Sequence, residues 1–170
     1  MQILRTNRLT LVPQVSSHAE EMFLVLRDPE LYKHENEPPT SIEWLRQRFT
    51  KLETRTSLDG TEKWLNWVIR LPSSQLIGYV QATVSGKAVA EIAYVLSSKF
   101  WGQGLATEAV EAMIGELTER YQVQDFIAIF KRNNIKSQRL LERLGFSRIT
   151  LEADQHVQVE PDEFLMGRKA

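Results

Sequence analysis

The chain has 170 residues, enough for one domain around a single sizeable core and too few for two of ordinary size. With 42% hydrophobic residues, 25% charged residues and a formal net charge of −1, it lacks the clustered Lys/Arg excess that a nucleic-acid surface requires. It contains no cysteine, which excludes disulfides, thiolate zinc sites and a cysteine-linked covalent intermediate, and fits a reducing cytosol.

The opening "MQILRTNRLTLVP" lacks an apolar signal core, and no run approaches the roughly 18 apolar residues of a membrane span. The expectation is a cytoplasmic protein, monomer or homodimer, with neither membrane nor nucleic acid as partner. "RLTLVPQ", Arg8 to Gln14, reads as a first strand. Ser16 and Ser17 offer caps for a helix over "HAEEMFLVLRD", in which Met22, Phe23 and Leu26 form an apolar stripe. "PELYKHENEPP" reads as a polar, proline-broken loop. A second helix runs from Ser41 to about Lys51, with Ile42, Leu45 and Phe49 on one side. Period-two alternation follows: "KWLNWVIRLP" sets Leu65, Trp67, Ile69 and Leu71 on one face and Asn66 and Arg70 on the other. "QLIGYVQATV" and "AVAEIAYVL", joined through "PSS" and "SGK", complete an antiparallel meander. Leu105, Ala109, Met113 and Leu117 then step by four, which predicts a helix to about Tyr121. "FIAIF", Phe126 to Phe130, is continuously apolar and reads as a strand covered on both faces. A helix from about Asn134 to Leu144 stops at Gly145, and "FSRITLE" and "EFLMGRK" read as closing strands. The sum is a single α+β domain over residues 1–170, with a mixed, mostly antiparallel sheet of about seven strands and about four helices.

The turn "KFWGQGLATEA" lies between an apolar strand and a helix. A helix start leaves about four main-chain N–H groups unpaired and carries roughly half a positive charge. Gly102, Gly104 and Ala106 keep side chains clear of those groups, so either an anion sits on them or the glycines simply make a tight turn. A P-loop needs a lysine that "GQGLAT" lacks. A dinucleotide fingerprint needs a small residue at Thr107 and a place early in a βαβ unit, and this turn follows three antiparallel strands.

"WGQGLATEA" resembles the acyl-CoA pyrophosphate loop of the GNAT superfamily of N-acetyltransferases, Gln/Arg-x-x-Gly-x-Gly/Ala, with Gly104 and Ala106 at the small positions. Trp101 stands where Gln or Arg is usual, a departure associated with the branch of ribosomal-protein N-terminal acetyltransferases (RimJ/RimL-like). "NIKSQRLLERLGF" resembles that branch's Asn-x-x-Ser…Leu-Gly-Phe segment at Asn134, Ser137, Gly145 and Phe146, and "RTNRLTLVP" resembles its first strand. The resemblance implies acetyl-CoA as cosubstrate, no metal, and a splayed strand pair forming the acyl-CoA cleft. It places the diphosphate on Trp101, Gly102, Gln103, Gly104, Leu105, Ala106 and Thr107. The pantetheine falls beside the backbone of Val95 and Leu96 and on Asn134, which is also a natural helix cap.

The implied reaction is attack of a primary amine on a thioester, so a proton must leave the amine and the departing thiolate must gain one. Glu91 is the candidate base, the one charge on an apolar strand and on the face of Ala93 and Val95; a surface ion pair and a water relay are the alternatives. Ser137 is the candidate acid, since Leu141 stands where many members carry a tyrosine; a serine bonded to its own helix is the alternative. Lys131, Arg132, Lys136 and Arg139 either meet a ribose phosphate or form a solvated face. "HENEPP", His34 to Pro39, either draws a cationic amine or is an exposed loop. His18, His34 and His156 form no ligand-like pair, and Trp44, Trp64 and Trp67 read as core or cleft walls. The acceptor expected is a primary amine, a protein or peptide N-terminus first. A polyamine, amino sugar or amino acid acceptor is the alternative, as is a non-catalytic acyl-CoA-binding module. A nucleotide-binding oxidoreductase is the third reading.

Overall fold

The computed structural model describes residues 1–34, 37–86, 88–150 and 158–170. In chain order the elements are β1 (Leu4–Arg5), β2 (Thr10–Pro13), α1 (Ala19–Val25), α2 (Ile42–Glu53), β3 (Glu62–Arg70), β4 (Leu76–Ser85), β5 (Val89–Leu96), α3 (Leu105–Tyr121), β6 (Asp125–Lys131), α4 (Ile135–Arg143), β7 (Ser147–Arg148) and β8 (Glu163–Lys169). The strands form one eight-stranded sheet in the order β1-β2-β3-β4-β5-β6-β8-β7. Seven of them answer the strands expected from the pattern; the eighth is β1, a two-residue strand at the sheet's outer edge beside β2. All pairs are antiparallel except β5 with β6. That pair needs a crossover, and α3 supplies it.

Each face of the sheet is covered by a helix pair. On one face Leu65, Trp67 and Ile69 of β3 pack with Ala109, Met113 and Leu117 of α3 and Leu141 of α4. On the other, Val68 and Leu76 pack with Ala19 and Met22 of α1 and Leu45 and Phe49 of α2. The face of β3 read as polar is therefore covered: Asn66 is buried beside Val68. Alternation locates the two faces of a strand, and the helices that roof it decide which face is wet.

Local signals set most boundaries. Ser41 caps α2 by accepting the Trp44 N–H at 3.0 Å, and Asn134 caps α4 by accepting the Ser137 N–H at 3.2 Å. The latter helix ends at Leu144, followed by Gly145 in the left-handed region at φ 82°. The expected caps Ser16 and Ser17 are not used. Ser16–His18 instead form a 3₁₀ turn closed by the Val15 N–H donating to His18 Nδ1 at 3.2 Å, and α1 begins with no side-chain cap. Within "PELYKHENEPP", Pro29–Tyr32 make one 3₁₀ turn capped by Asp28, while Glu35 and Asn36 lie outside the described residues. The closing strand at "EFLMGRK" forms as expected; within "FSRITLE" the described residues carry strand at Ser147–Arg148, and Leu151 and Glu152 lie outside the described residues. No helix among the described residues is long and apolar enough to cross a membrane.

Leu117 is fully buried between α3 and the sheet. Leu117→Ala is expected to lower unfolding stability by about 3 kcal/mol, measured by urea denaturation, because the cavity cannot collapse between two rigid layers. A loss below about 1 kcal/mol would show that α3 is not held this way.

Candidate active site in a gap between parallel strands

The pairing of β5 with β6 covers only Val89–Glu91 against Asp125–Ile127. Beyond Glu91 the strands part, and β5 continues bonded to β4 alone as far as Leu96. Main-chain direction alternates along the strand. The Ala88 carbonyl accepts the Gln124 N–H toward β6 at 2.8 Å, and the Ser97 N–H donates toward β4 to Ile77 at 2.9 Å. The main-chain groups of Ile92, Tyr94 and Leu96 therefore face the gap. Val95, expected to share that role with Leu96, has its main chain turned to Tyr79 on β4. Its neighbour's carbonyl is already engaged, because Trp101 Nε1 donates to the Leu96 oxygen at 2.7 Å. Gly78 opposite Leu96 lets the strands lie close, since a Cβ there would collide with the Val95 carbonyl oxygen.

The glycine turn closes one end of the gap. After a 3₁₀ turn at Ser98–Phe100, Gly102 and Gly104 both take φ 75°, a conformation that glycine adopts at no steric cost. Gly104 is the N-cap of α3 with no side chain to satisfy the helix start. The first helical bond runs from the Glu108 N–H to the Gly104 carbonyl, so the N–H groups of Leu105, Ala106 and Thr107 precede it and have no helical partner. Gly102, Gln103 and Gly104 are exposed. A Cβ on Gly102 would meet nothing within 4 Å, and one on Gly104 only Arg8 Nη2 at 3.5 Å. Arg8 is the residue that the sequence reading missed here: its Nη1 donates to the Gln103 carbonyl at 2.8 Å across 95 positions of chain. Of the four basic residues considered for phosphate contact, Lys136 is brought to the turn, with Nζ 3.7 Å from the Trp101 ring centroid. Lys131 instead pairs with Asp162 and Glu163, and Arg132 stacks on Phe164.

Glu91 stands on the side of β5 opposite the α3 core, across from Thr83 of β4 and Ile127 of β6. It is exposed to water, yet the surrounding cleft partly desolvates its carboxylate, and Glu62 and Glu163 add repulsion. All three effects raise its pKa above the ordinary 4.5. Among the described residues no cation pairs with it. The neighbouring carboxylates have partners: Glu62 accepts Trp64 Nε1–H at 3.0 Å, and Glu163 pairs with Lys131 at 3.1 Å.

At the other side of the gap, Ser137 lies in the first turn of α4, and its hydroxyl has no hydrogen-bond partner among the described residues. Tyr94 spans from β5 to this helix, donating its hydroxyl to the Ser137 carbonyl at 3.3 Å, a link that strand alternation alone did not suggest. Leu141, at the position where a tyrosine was considered, is buried in the core. His34 reaches Asn133 Oδ1 at 3.1 Å, so the segment leading into "HENEPP" arrives at the mouth of the gap. Trp67 is core, Trp64 is half-buried, and Trp44 is exposed beneath Arg48. His156 lies outside the described residues, among which no group of His, Asp and Glu could hold a metal.

A parallel pair parted beside an open helix start is the geometry to which the comparisons with known proteins give a context. Residues 8–147 match the acetyltransferase (GNAT) domain family. The chain belongs to the GNAT acetyltransferases. It is 28% identical over 159 residues to the uncharacterised N-acetyltransferase p20 of Bacillus licheniformis, spanning 91% of this chain and 87% of that one. Among solved structures it superposes on the ribosomal L7/L12 α-N-protein acetyltransferase RimL in complex with coenzyme A, with a TM-score of 0.82 at 16% identity, covering 98% and 97% of the two chains. The self-immunity acetyltransferase MccE of microcin C7, in complex with acetyl-CoA and AMP, gives a TM-score of 0.80 at 20% identity over 97% and 94%. At such identities the structural likeness speaks to the fold.

The electrostatics of this GNAT site are directly measurable. In a ¹³C NMR titration, the Glu91 carboxyl is expected to titrate above 4.5, and Glu62→Gln to move it back toward that value. A midpoint at or below 4.5 would show that neither the cleft walls nor the neighbouring carboxylates act on it.

Proposed function

We propose that the chain moves the acetyl group of acetyl-CoA to a primary amine, in first place the N-terminal α-amine of a protein or peptide, by direct attack in a ternary complex. The observation that carries this reading is the parted β5–β6 pair ending at an uncapped, glycine-lined start of α3. The fit is physical. Open space at Gly102, the guanidinium of Arg8 beside Gly104 and the N–H groups from Gly102 to Thr107 suit a diphosphate, and the edge of β5 that faces the gap suits an amide-bearing arm.

When bound, acetyl-CoA supplies the thioester whose carbonyl carbon the amine attacks and whose sulfur leaves. The Leu96 N–H, facing the gap, donates to the pantetheine or to the thioester carbonyl, where it stabilises developing negative charge. The Asn134 carboxamide keeps its NH₂ group for the same arm while its oxygen caps α4. Glu91, with its raised proton affinity, accepts the proton released by the ammonium, directly or through water. The Ser137 hydroxyl donates to the departing thiolate as the C–S bond breaks and recovers its proton from solvent. With no cysteine in the chain, a thiol-borne acetyl intermediate is not available, which supports direct transfer.

The choice of an α-amine rests on the branch resemblance and on chemistry. An α-amino group, with a pKa near 8 against about 10.4 for lysine, demands less of a carboxylate base. RimL acts on a ribosomal protein's α-amine by its name, whereas MccE is an immunity acetyltransferase solved with AMP, so a small-molecule amine is the second reading.

The test is coenzyme A release from acetyl-CoA with a panel of N-terminal peptides, polyamines, amino sugars and amino acids. Peptides are expected to turn over, with double-reciprocal plots that intersect. Parallel plots would overturn direct transfer, and tight binding of acetyl-CoA without release for any amine would leave a binding module. Glu91→Gln is expected to lower kcat by about 10²-fold and to remove the acid limb of the rate profile, because the active form is the ionised carboxylate and its protonation stops transfer. An unchanged profile would assign the proton to water. Gly104→Val is expected to weaken acetyl-CoA by about 3 kcal/mol, roughly a hundredfold, since valine resists the left-handed conformation and projects into the anion's place. Unaltered affinity in the folded variant would contradict the diphosphate assignment.

A further inference from the structure

Thr6, Arg8 and Glu108 form a cluster beside the glycine turn that the proposed reaction does not use. Glu108 lies in the first turn of α3, where a carboxylate normally answers the positive end of its own helix. A free carboxylate there would stand beside the amides that a diphosphate needs and would repel it. In this structure it is turned back toward the N-terminal hairpin. Its Oε1 accepts from Thr6 Oγ1 at 2.6 Å and from the Arg8 main-chain N–H at 3.0 Å. Its Oε2 accepts from Arg8 Nε at 2.7 Å and lies 2.6 Å from Arg8 Nη2. Partial burial alone would lift the pKa of Glu108, but the hydrogen bonds from Thr6 and Arg8 outweigh it and hold the group ionised.

The guanidinium that neutralises Glu108 also shapes the turn. Arg8 Nη1 holds the Gln103 carbonyl at 2.8 Å, and a Cβ on Gly104 would lie 3.5 Å from Nη2. The Arg8 side chain is 50% exposed, so its remaining N–H donors look outward beside the glycines. We propose that Arg8 is a positioning residue for the diphosphate. It masks the negative charge of Glu108 and secures the Gln103 carbonyl, so that the turn offers donors without a competing anion. This inference rests on reading the turn as the acetyl-CoA site.

Calorimetric titration of acetyl-CoA into the full chain tests it, comparing wild type, Arg8→Ala, Glu108→Gln and the double variant. Arg8→Ala is expected to weaken binding at least about tenfold by leaving a bare carboxylate at the helix start. Removing that charge as well is expected to restore part of the loss, so the double variant binds at least about threefold tighter than Arg8→Ala alone. A strap that merely holds the hairpin to the helix predicts no such recovery, because both variants lack it. The gap between wild type and Arg8→Ala is also expected to narrow in high salt. Binding by Arg8→Ala equal to wild type, or a double variant no tighter than Arg8→Ala, would overturn the proposal. Should Arg8→Ala fail to fold by its melting curve, Arg8→Gln against Arg8→Gln/Glu108→Gln makes the same comparison, since glutamine removes the charge and keeps a polar side chain of similar reach. Wild type that does not bind acetyl-CoA would instead sink the reading of the turn itself.

Discussion

The site depends on a sheet that stops being a sheet. Beyond Glu91 β5 keeps its bonds to β4 and gives up those to β6, so the gap-facing main chain of Ile92 and Leu96 has no β6 residue opposite it. Exposed strand edges invite another extended chain. Here the edge lies within the sheet itself, between β5 and β6. The parting is held by specific contacts. Trp101 takes the Leu96 carbonyl, Gly78 lets β4 hold the end of β5 closely, and Tyr94 bridges to the start of α4. The same divergence therefore opens the slot to which the proposed function assigns the acyl carrier.

Charge is distributed along that slot. At one end are the free amides and positive dipole end of α3, flanked by Arg8 and Lys136, the latter stacked on Trp101. Beside the other are Glu91, Glu62 and Glu163, and partial desolvation together with repulsion from the other two raises the proton affinity of Glu91. A chain with a net charge of only −1 thus sets an electropositive helix start apart from a cluster of carboxylates. In the proposed reaction the cofactor's phosphates and the amine make opposite electrostatic demands.

Several features were legible in the residues alone because they are local. The four-residue step from Leu105 to Leu117 set α3, glycine after Leu144 ended α4, and unbroken apolarity marked β6 as covered on both faces. The glycine turn and Asn134–Ser137 could be singled out because each is a short motif with a physical job, and the fold brings both to the gap. Other features were invisible for an equally physical reason. Nothing near Arg8 in the chain announces Glu108, 100 positions further on, and nothing near His34 announces Asn133. Asn66 alternates as a solvent residue would and is buried only because α1 and α2 cover its face.

What the sequence determined by itself is therefore whatever depends on neighbours within a helical turn or a strand: element type, caps and stops, the run of apolar faces, and the presence of an anion-ready helix start. Which main-chain groups of β5 are free, which carboxylates crowd Glu91, and which cation guards the glycine turn were decided by tertiary structure. Those properties come from strand register and from contacts about a hundred residues apart, as between Arg8 and Glu108, and no local pattern encodes them.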